Sequence, residues 1–182
     1  MSDLTTLPGT LEFAWDALAR GVASREAPCR FGVLATVGAG GEARMVVLRA
    51  ADGVVGTVEV HSDTATGKVV QISAEPRATL LFWLPAQQLQ IRLRATFAIL
   101  KGAAAQHRWQ DIPDGPRRAY GGRPPPGDTI AAPSDHDATP EFERFAVLIG
   151  TVSAIETLHL GMPHRRAQFT RDEGFAGRWI AP

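Results

Sequence analysis

Hydrophobic and polar residues follow helical spacing most clearly near the start of the chain. Between residues 11 and 23 apolar side chains recur at that spacing, which predicts an N-terminal helix with one buried face. The residues of this face are Leu11, Trp15, Leu18 and Val22. The next run, Phe31–Val37, is rich in β-branched residues and stops at the glycines of 38–41, a pattern that predicts a strand followed by a turn.

Three consecutive antiparallel strands are predicted from this point. The apolar run at residues 44–49 is the second strand, and the run from Val54 to His61 is the third. Between them lies Asp52-Gly53, a dipeptide that tolerates the positive φ angles of a tight hairpin turn.

Beyond residue 63 the pattern predicts a short helix and two longer strands. Thr64 is a suitable N-cap for the helix, and Pro76 ends it. Residues 77–84 are an apolar strand, and residues 88–100 alternate as expected for a strand with one polar face. The apolar face carries Leu89, Ile91, Leu93, Ala95 and Phe97, and the polar face carries Gln88, Gln90, Arg92, Arg94 and Thr96.

The rest of the chain contains a long irregular segment between regular elements. Residues 103–110 are predicted to be helical, and residues 112–140 are rich in Pro, Gly and Asp and predict a long loop. A strand follows over 145–155, which the pattern allows to continue to 159, and 177–182 are a short final strand. Six or seven strands without strand–helix alternation predict one mainly β domain over residues 1–182, an antiparallel barrel with flanking helices.

Composition excludes several function classes. The 182 residues are 45% hydrophobic and 21% charged, as in soluble globular proteins. The 19 basic and 19 acidic residues cancel, which argues against nucleic-acid or membrane binding driven by net charge. Cys29 is the single cysteine, so neither an internal disulfide nor a thiolate metal cluster can form. With no apolar run of membrane-spanning length and no secretory signal pattern, we expect a cytoplasmic protein.

Familiar catalytic motifs are missing from the sequence. It has no Gly-x-Ser-x-Gly elbow, no Walker loop and no His-Glu-x-x-His, and its five histidines lack ligand spacing, so no metal site is predicted. Instead, cationic and amide groups gather at strand ends and at the start of the short helix. A helix start with Thr66 and Lys68, facing an arginine from a neighbouring strand, suits a phosphate dianion. Simple exposure to solvent is the alternative for each residue taken singly.

Six short segments follow one another at characteristic spacings, namely 44–49, 61–62, 66–72, 75–77, 80–83 and 90–92. Their order resembles the pyridoxamine 5′-phosphate oxidase-like family of FMN-binding split β-barrels. The resemblance covers about residues 31–100, with a weaker similarity at 164–166 and 179–182. It implies a split barrel, FMN as the cofactor, and a homodimer with FMN at the subunit interface.

For the phosphate of FMN, the resemblance implies contacts from Arg44, Gly67 and Lys68. Glycine stands at position 67 where the family more often has a basic residue, and Thr66 is the residue that would compensate.

For the flavin ring, the resemblance implies that the strand backbone at Val46, Val47 and Leu48 passes beside it, with Arg49 near its polar edge. It places further contacts at His61, Ser62 and Gln90, and a C-terminal contact at Arg166 or its neighbour Arg165.

The substrate is not implied, because the chain departs from the oxidase pattern. Oxidases proper carry Arg-x-His near the C-terminus, whereas this chain has Pro163-His-Arg-Arg166, which argues against pyridoxamine phosphate oxidation itself. We expect an FMN-dependent oxidoreductase that transfers hydride to or from an unidentified small molecule. The alternatives are a split barrel that holds flavin or haem without turnover, a deazaflavin in place of FMN, and a barrel without a ligand.

Overall fold

The computed structural model describes residues 3–182, which fold around an antiparallel β-barrel. The strands are β1 (Phe31–Val37), β2 (Gly41–Asp52), β3 (Thr57–Asp63), β4 (Arg77–Leu84), β5 (Leu89–Leu100), β6 (Phe145–His159), β7 (Arg165–Thr170) and β8 (Arg178–Ile180). They form one sheet in the order β3-β2-β1-β4-β5-β6-β7-β8, and an additional β3–β6 pairing closes the first six into a barrel. The predicted mainly β, antiparallel split-barrel class is confirmed.

The 15-residue strand β6 belongs both to the barrel and to the part of the sheet, formed with β7 and β8, that extends beyond the barrel. Its first half, residues 145–151, pairs with β3, and its second half, residues 154–159, pairs with β7. Its other edge pairs with β5 along most of its length. One strand therefore closes the barrel and also carries the two additional strands out from it.

Four α-helices accompany the sheet: α1 (Leu7–Ala23), α2 (Gly67–Ala74), α3 (Gln106–Gln110) and α4 (Asp114–Arg117). Helix α1 starts four residues before the predicted one because Thr6 caps it, with its Oγ1 accepting from Gly9 N at 3.2 Å. Its most buried residues are small ones such as Ala14 and Ala17, together with Leu18, and it packs chiefly on β2.

The barrel interior is filled by alternate residues of the strands. On β5 the predicted apolar face is buried, and the opposite positions are partly or fully exposed, so the predicted faces are confirmed. Phe82, Leu93 and Phe169 are among the largest side chains with almost no exposure. No helix in the described part of the chain is long and apolar enough to cross a membrane.

Three sequence predictions need correction near turns. The third strand starts at Thr57 rather than Val54, because Asp52 Oδ1 accepts from Val54 N and Val55 N and holds those residues in the turn. Thr64 is not the cap of α2, since the helix begins at Gly67 and Thr64 N donates to Arg144 O at 2.7 Å. The predicted loop at 112–140 contains α4 and an isolated bridge between Arg123 and Asp137.

Strand β7 was missing from the predicted set. Its sequence is Arg-Arg-Ala-Gln-Phe-Thr, in which only Ala167 and Phe169 are buried. Two apolar positions are too few to distinguish a strand from a loop in the sequence. Pairing with β6, which supplies a complete row of partners, stabilises it as a strand.

Candidate functional site

A cleft of about 400 Å³ opens beside β2, β3 and the turn before α2. Seven of the predicted residues line it, namely Val46, Val47, Arg49, His61, Ser62, Thr66 and Lys68. Phe31 and Met45 add apolar surface, and Tyr120 and Pro126 come from the Pro-rich segment. The cleft thus has a cationic, hydroxyl-bearing part and an apolar part.

The polar part of the cleft is built around the Lys68 ammonium. Lys68 Nζ donates to Ser62 Oγ at 3.2 Å, and Ser62 Oγ lies 2.9 Å from Thr66 Oγ1. Thr66 occupies the N-cap of α2, where the first backbone N–H groups have no intrahelical acceptor. Burial and the nearby Arg44 charge lower the pKa of Lys68, while Asp63 acts in the opposite direction. This corner of the protein therefore favours an anionic ligand group.

Arg44 lies next to this corner but does not line the cleft. Its guanidinium donates to Leu34 O at 3.2 Å, to Thr36 Oγ1 and to Gln71 Oε1 at 3.0 Å. These acceptors are neutral, and the carboxylate of Glu42 lies 3.8 Å away. Arg44 therefore adds positive potential near Lys68 while its hydrogen bonds join β1, β2 and α2.

His61 is oriented by a carboxylate that sequence reasoning missed. Its Nε2 lies 2.8 Å from Glu59 Oε1, and Arg108 Nε donates to Glu59 Oε2 at 3.3 Å. Burial alone would raise the pKa of Glu59, but the His61 hydrogen bond and the charges of His61 and Arg108 outweigh it and lower that pKa. His61 Nδ1 is buried and has no hydrogen-bond partner within residues 3–182.

Arg49 also has a buried polar atom that makes no hydrogen bond within the described residues. The β2–β3 register shifts between Leu48 and Ala50, so Arg49 lies at a β-bulge, a feature that redirects side chains at strand edges. Its Nε is buried without a partner in the described chain. Burial raises the pKa of Tyr120, and the adjacent Arg49 guanidinium offsets part of that rise. Arg49 and His61 are thus two groups in the cleft wall with a free polar atom each.

Asp63 fixes the floor of the cleft. Its side chain is only 2% exposed, and its Oδ1 accepts from Arg144 Nε at 2.9 Å, Arg144 Nη2 at 2.8 Å and Ala65 N at 2.8 Å. Its Oδ2 accepts from Gly121 N at 2.8 Å. At Gly121 φ is +113°, and a Cβ there would lie 2.5 Å from Glu141 N. The loop can therefore approach Asp63 only with glycine at this position.

Two predicted site residues, Gln90 and Arg166, lie far from the cleft in the fold. Gln90 is on β5, with β4 and β1 between it and β2. Arg166 is on β7, opposite Leu158 of β6, whereas His61 is opposite Val147 of the same strand. Eleven residues of extended chain correspond to about 36 Å. Within one chain, Gln90 and Arg166 therefore do not share a cavity with Lys68 and His61.

Arg166 belongs to a separate polar cluster on the outside of the sheet, and Gln90 lies two residues before Arg92 of this cluster on the same face of β5. Arg166 Nε and Nη2 donate to Glu156 Oε1 at 3.0 and 2.8 Å, and Arg92 Nη2 donates to Glu156 Oε2. Glu156 is almost fully buried between the two arginines. Both guanidinium groups remain about 30% exposed and available for a further contact.

A continuous apolar surface, here termed the outer face, connects the cleft to this cluster. On β1 and its neighbours, Val33 is opposite both Met45 and Leu81, which places all three on one side of the sheet. Phe31 lies two residues before Val33 on β1, and Trp83 lies two residues after Leu81 on β4. Because side chains alternate along a strand, both are on the same side of the sheet as Val33. Phe31 is 52%, Met45 61% and Trp83 45% exposed. Large apolar side chains exposed together are characteristic of an interaction surface.

The fold is an antiparallel split barrel, and it is similar to solved structures of the pyridoxamine 5′-phosphate oxidase-like type to which the sequence resemblance pointed. The chain is similar to the crystal structure of a pyridoxamine 5′-phosphate oxidase-related, FMN binding protein from Nostoc punctiforme PCC 73102. The TM-score is 0.75 at 25% identity, covering 94% of this chain and 96% of that one.

Two further solved structures share the fold. PhzG from Burkholderia lata 383, in complex with tetrahydrophenazine-1-carboxylic acid, has a TM-score of 0.73 at 17% identity and covers 96% of this chain and 92% of its own. A protein related to general stress protein 26, from Clostridium acetobutylicum, has a TM-score of 0.60 at 15% identity and covers 90% and 95%. No protein-family model matches the sequence, and no curated protein shows significant sequence similarity to it.

Replacement of the buried Asp63 by alanine is expected to destabilise the protein strongly. Asp63→Ala leaves the Arg144 guanidinium, whose side chain is 19% exposed, without its carboxylate, a change that costs about 3–5 kcal/mol in the free energy of unfolding. Denaturant unfolding measures this difference. The matched control is Asp114→Ala, which removes a 97% exposed carboxylate from Arg117 and should cost under about 1 kcal/mol. Equal losses in the two variants would show that Asp63 has no special structural role.

Proposed function

We propose that this protein binds FMN in the cleft beside β2 and β3 and uses it as an oxidoreductase. The observation that carries the proposal is the convergence of Lys68, Ser62, Thr66 and the start of α2 on one corner of a cleft whose other part is apolar. FMN has matching parts, a phosphate dianion and a planar heteroaromatic ring whose faces and dimethylbenzene end are apolar. The similarity to an FMN binding protein at 25% identity supports the same assignment.

The residues that line the cleft fit FMN. The cleft volume falls within the range of about 300–1,000 Å³ for small-molecule sites. Phe31, Met45 and Val47 offer an apolar wall, and Arg49 and His61 each retain a free buried polar atom that a heteroaromatic ring edge could engage. Within residues 3–182, His61 is the only histidine that lines the cleft, and its Nε2 is hydrogen-bonded to Glu59.

A second copy of the chain completes the site in this proposal. Gln90 and Arg166 are expected flavin contacts, yet they lie too far from Lys68 to reach the same ligand within one chain. The outer face joins the two regions and presents exposed Phe31, Met45 and Trp83. A homodimer that buries this face would bring Gln90 and Arg166 of one copy toward the cleft of the other.

When bound, FMN supplies hydride transfer, so the protein needs neither a nucleophile nor a metal of its own for that step. Lys68, Thr66, Ser62 and the α2 amides would hold the phosphate, with Arg44 adding positive potential behind them. The Arg49 guanidinium would stabilise negative charge at the ring edge. His61, kept in place by Glu59, would present its Nδ1 to the same region. The outer face, once covered, would exclude water from the ring.

Removal of positive charge from the polar part of the cleft, around Lys68, should weaken FMN binding. Lys68→Ala is expected to cost about 1.5–3 kcal/mol of binding free energy, the range of a charge-assisted hydrogen bond. Arg44→Ala removes only positive potential from behind the cleft, so it is expected to cost less than Lys68→Ala. Titration of the flavin-free protein with FMN, followed by flavin fluorescence, measures the dissociation constant. Lys101→Ala is the control, because it removes the only other lysine, which is exposed and outside the cleft. Unchanged affinity in the first two variants would contradict the site.

FMN affinity should depend on pH through Lys68. In the flavin-free protein burial, and then the Arg44 charge, hold the pKa of Lys68 below its ordinary 10.5, whereas a bound phosphate favours the ammonium. Affinity therefore declines as pH rises through the lowered pKa of Lys68. Lys68→Arg keeps its charge and should retain affinity over that range. A parallel decline in the two proteins would rule out Lys68 as the titrating group.

Disruption of the outer face should remove both the dimer and the flavin. Trp83→Glu places a carboxylate on the apolar surface, whose burial without a partner is unfavourable, so the variant is expected to be monomeric and depleted of FMN. Sedimentation velocity and the flavin content of the purified protein measure the two effects. Val54→Glu, at a 99% exposed position in the β2–β3 turn, should leave both unchanged. A wild-type monomer with a full complement of FMN would disprove the two-copy site.

A further inference from the structure

A second cavity of about 430 Å³ shares Arg49 and His61 with the cleft. Its other walls come from the segment after α1, from β3, and from the region of α3 and α4. Four arginines line it, namely Arg25, Arg30, Arg49 and Arg108, and we refer to it as the arginine pocket.

The arginine pocket has more positive than negative charge. Its two carboxylates are Glu59 and Asp111. Glu59 is bonded to His61 and Arg108, and Asp111 lies 3.2 Å from His107 Nδ1. Within residues 3–182, no carboxylate lies within salt-bridge distance of the other three guanidinium groups, those of Arg25, Arg30 and Arg49.

Arg30 lies close enough to Arg49 and to Arg25 to be repelled by both charges. Arg30 is half-buried, and its Nη1 donates to the neutral carbonyl oxygens of Val22 and Leu48 at 3.2 and 3.4 Å. Burial and then the charges of Arg49 and Arg25 lower the pKa of Arg30. Like charges held together in a partly buried cavity disfavour the protein without a ligand and favour any anion that enters.

The pocket also has apolar walls. Ile112 is buried, and Pro113 and Pro116 line the cavity beside it. Guanidinium groups present paired N–H donors that match a planar carboxylate or a phosphate. A ligand suited to both features has an oxyanion on an apolar or aromatic body.

We propose that the arginine pocket binds the carboxylate or phosphate group of the substrate and holds the rest of that molecule against the Arg49–His61 wall of the cleft. The assignment of this ligand as the substrate rests on the proposed flavin function. Arg25, Arg30 and Arg108 are positioning residues in this arrangement, because they contact the oxyanion rather than the flavin.

Three ligand probes of similar shape test the pocket in the FMN-loaded protein: benzoate, phenyl phosphate and the uncharged benzamide. Binding is measured by calorimetry and by the change in the visible absorption spectrum of the flavin. Benzoate or phenyl phosphate should bind and perturb the spectrum, benzamide should bind at least tenfold more weakly, and the oxyanion affinity should fall as ionic strength rises. The tighter of the two anions identifies the oxyanion.

Two variants locate the binding. Arg25→Ala removes an exposed guanidinium and is expected to weaken oxyanion binding about three- to tenfold. Arg30→Lys keeps the charge but loses the paired donors, and it should weaken binding while the thermal unfolding midpoint stays near that of wild type. Arg77→Ala removes the same charge from an exposed pair with Glu75, outside the pocket, and should change nothing.

The proposal is overturned if benzamide binds as tightly as the anions, if neither anion binds, or if Arg25→Ala and Arg30→Lys bind them as well as Arg77→Ala does. A protein that binds FMN but no anion disproves only the arginine pocket. If the chain binds no FMN, the proposed function fails first, and calorimetry of the flavin-free variants with the same probes still decides whether the pocket binds oxyanions.

Discussion

The buried carboxylate of Asp63 is the interaction on which the candidate site depends. It lies at the last residue of β3, and its hydrogen bonds join that strand to Arg144 before β6, to Ala65 in the turn that leads to α2, and to Gly121 in the Pro-rich segment. A single charged group thus determines where the phosphate corner, the barrel closure and the loop with Tyr120 lie relative to one another. A buried carboxylate with every oxygen in use is costly to form from water, so the arrangement is stable only when all its partners are in place.

The barrel closure explains why the site is at the surface rather than inside. The interior is filled by tightly packed apolar side chains, such as Phe82 and Leu93. The charged groups of the candidate site lie on the outside of the sheet and at strand ends. The cations around Lys68 and those around Glu156 are separated by the apolar outer face, and the arginine pocket lies on the other side of Arg49.

Much of the fold could be predicted because strand signals are local. β1 and β4 have the predicted bounds, and the alternation of apolar and polar residues on β5 identifies both of its faces. Successive side chains of a strand point to opposite faces, so a short stretch of sequence shows which positions are buried. The site was only partly predictable. Resemblance pointed to residues that line the cleft, whereas Glu59, Tyr120 and the Asp63–Arg144 pair have no motif. Asp63 and Arg144 are 81 residues apart, and no local pattern indicates that the fold brings them together.

The β-bulge at Arg49 has a consequence beyond the position of one side chain. Because this guanidinium borders both cavities, whatever occupies one cavity alters the electric field in the other. An anion that engages Arg49 from one side reduces the attraction it can exert on negative charge from the other side. By thermodynamic reciprocity, the occupants of the two cavities should influence each other's affinity to the same extent and with the same sign. The β-bulge at Arg49 therefore couples ligand binding in the cleft to ligand binding in the arginine pocket.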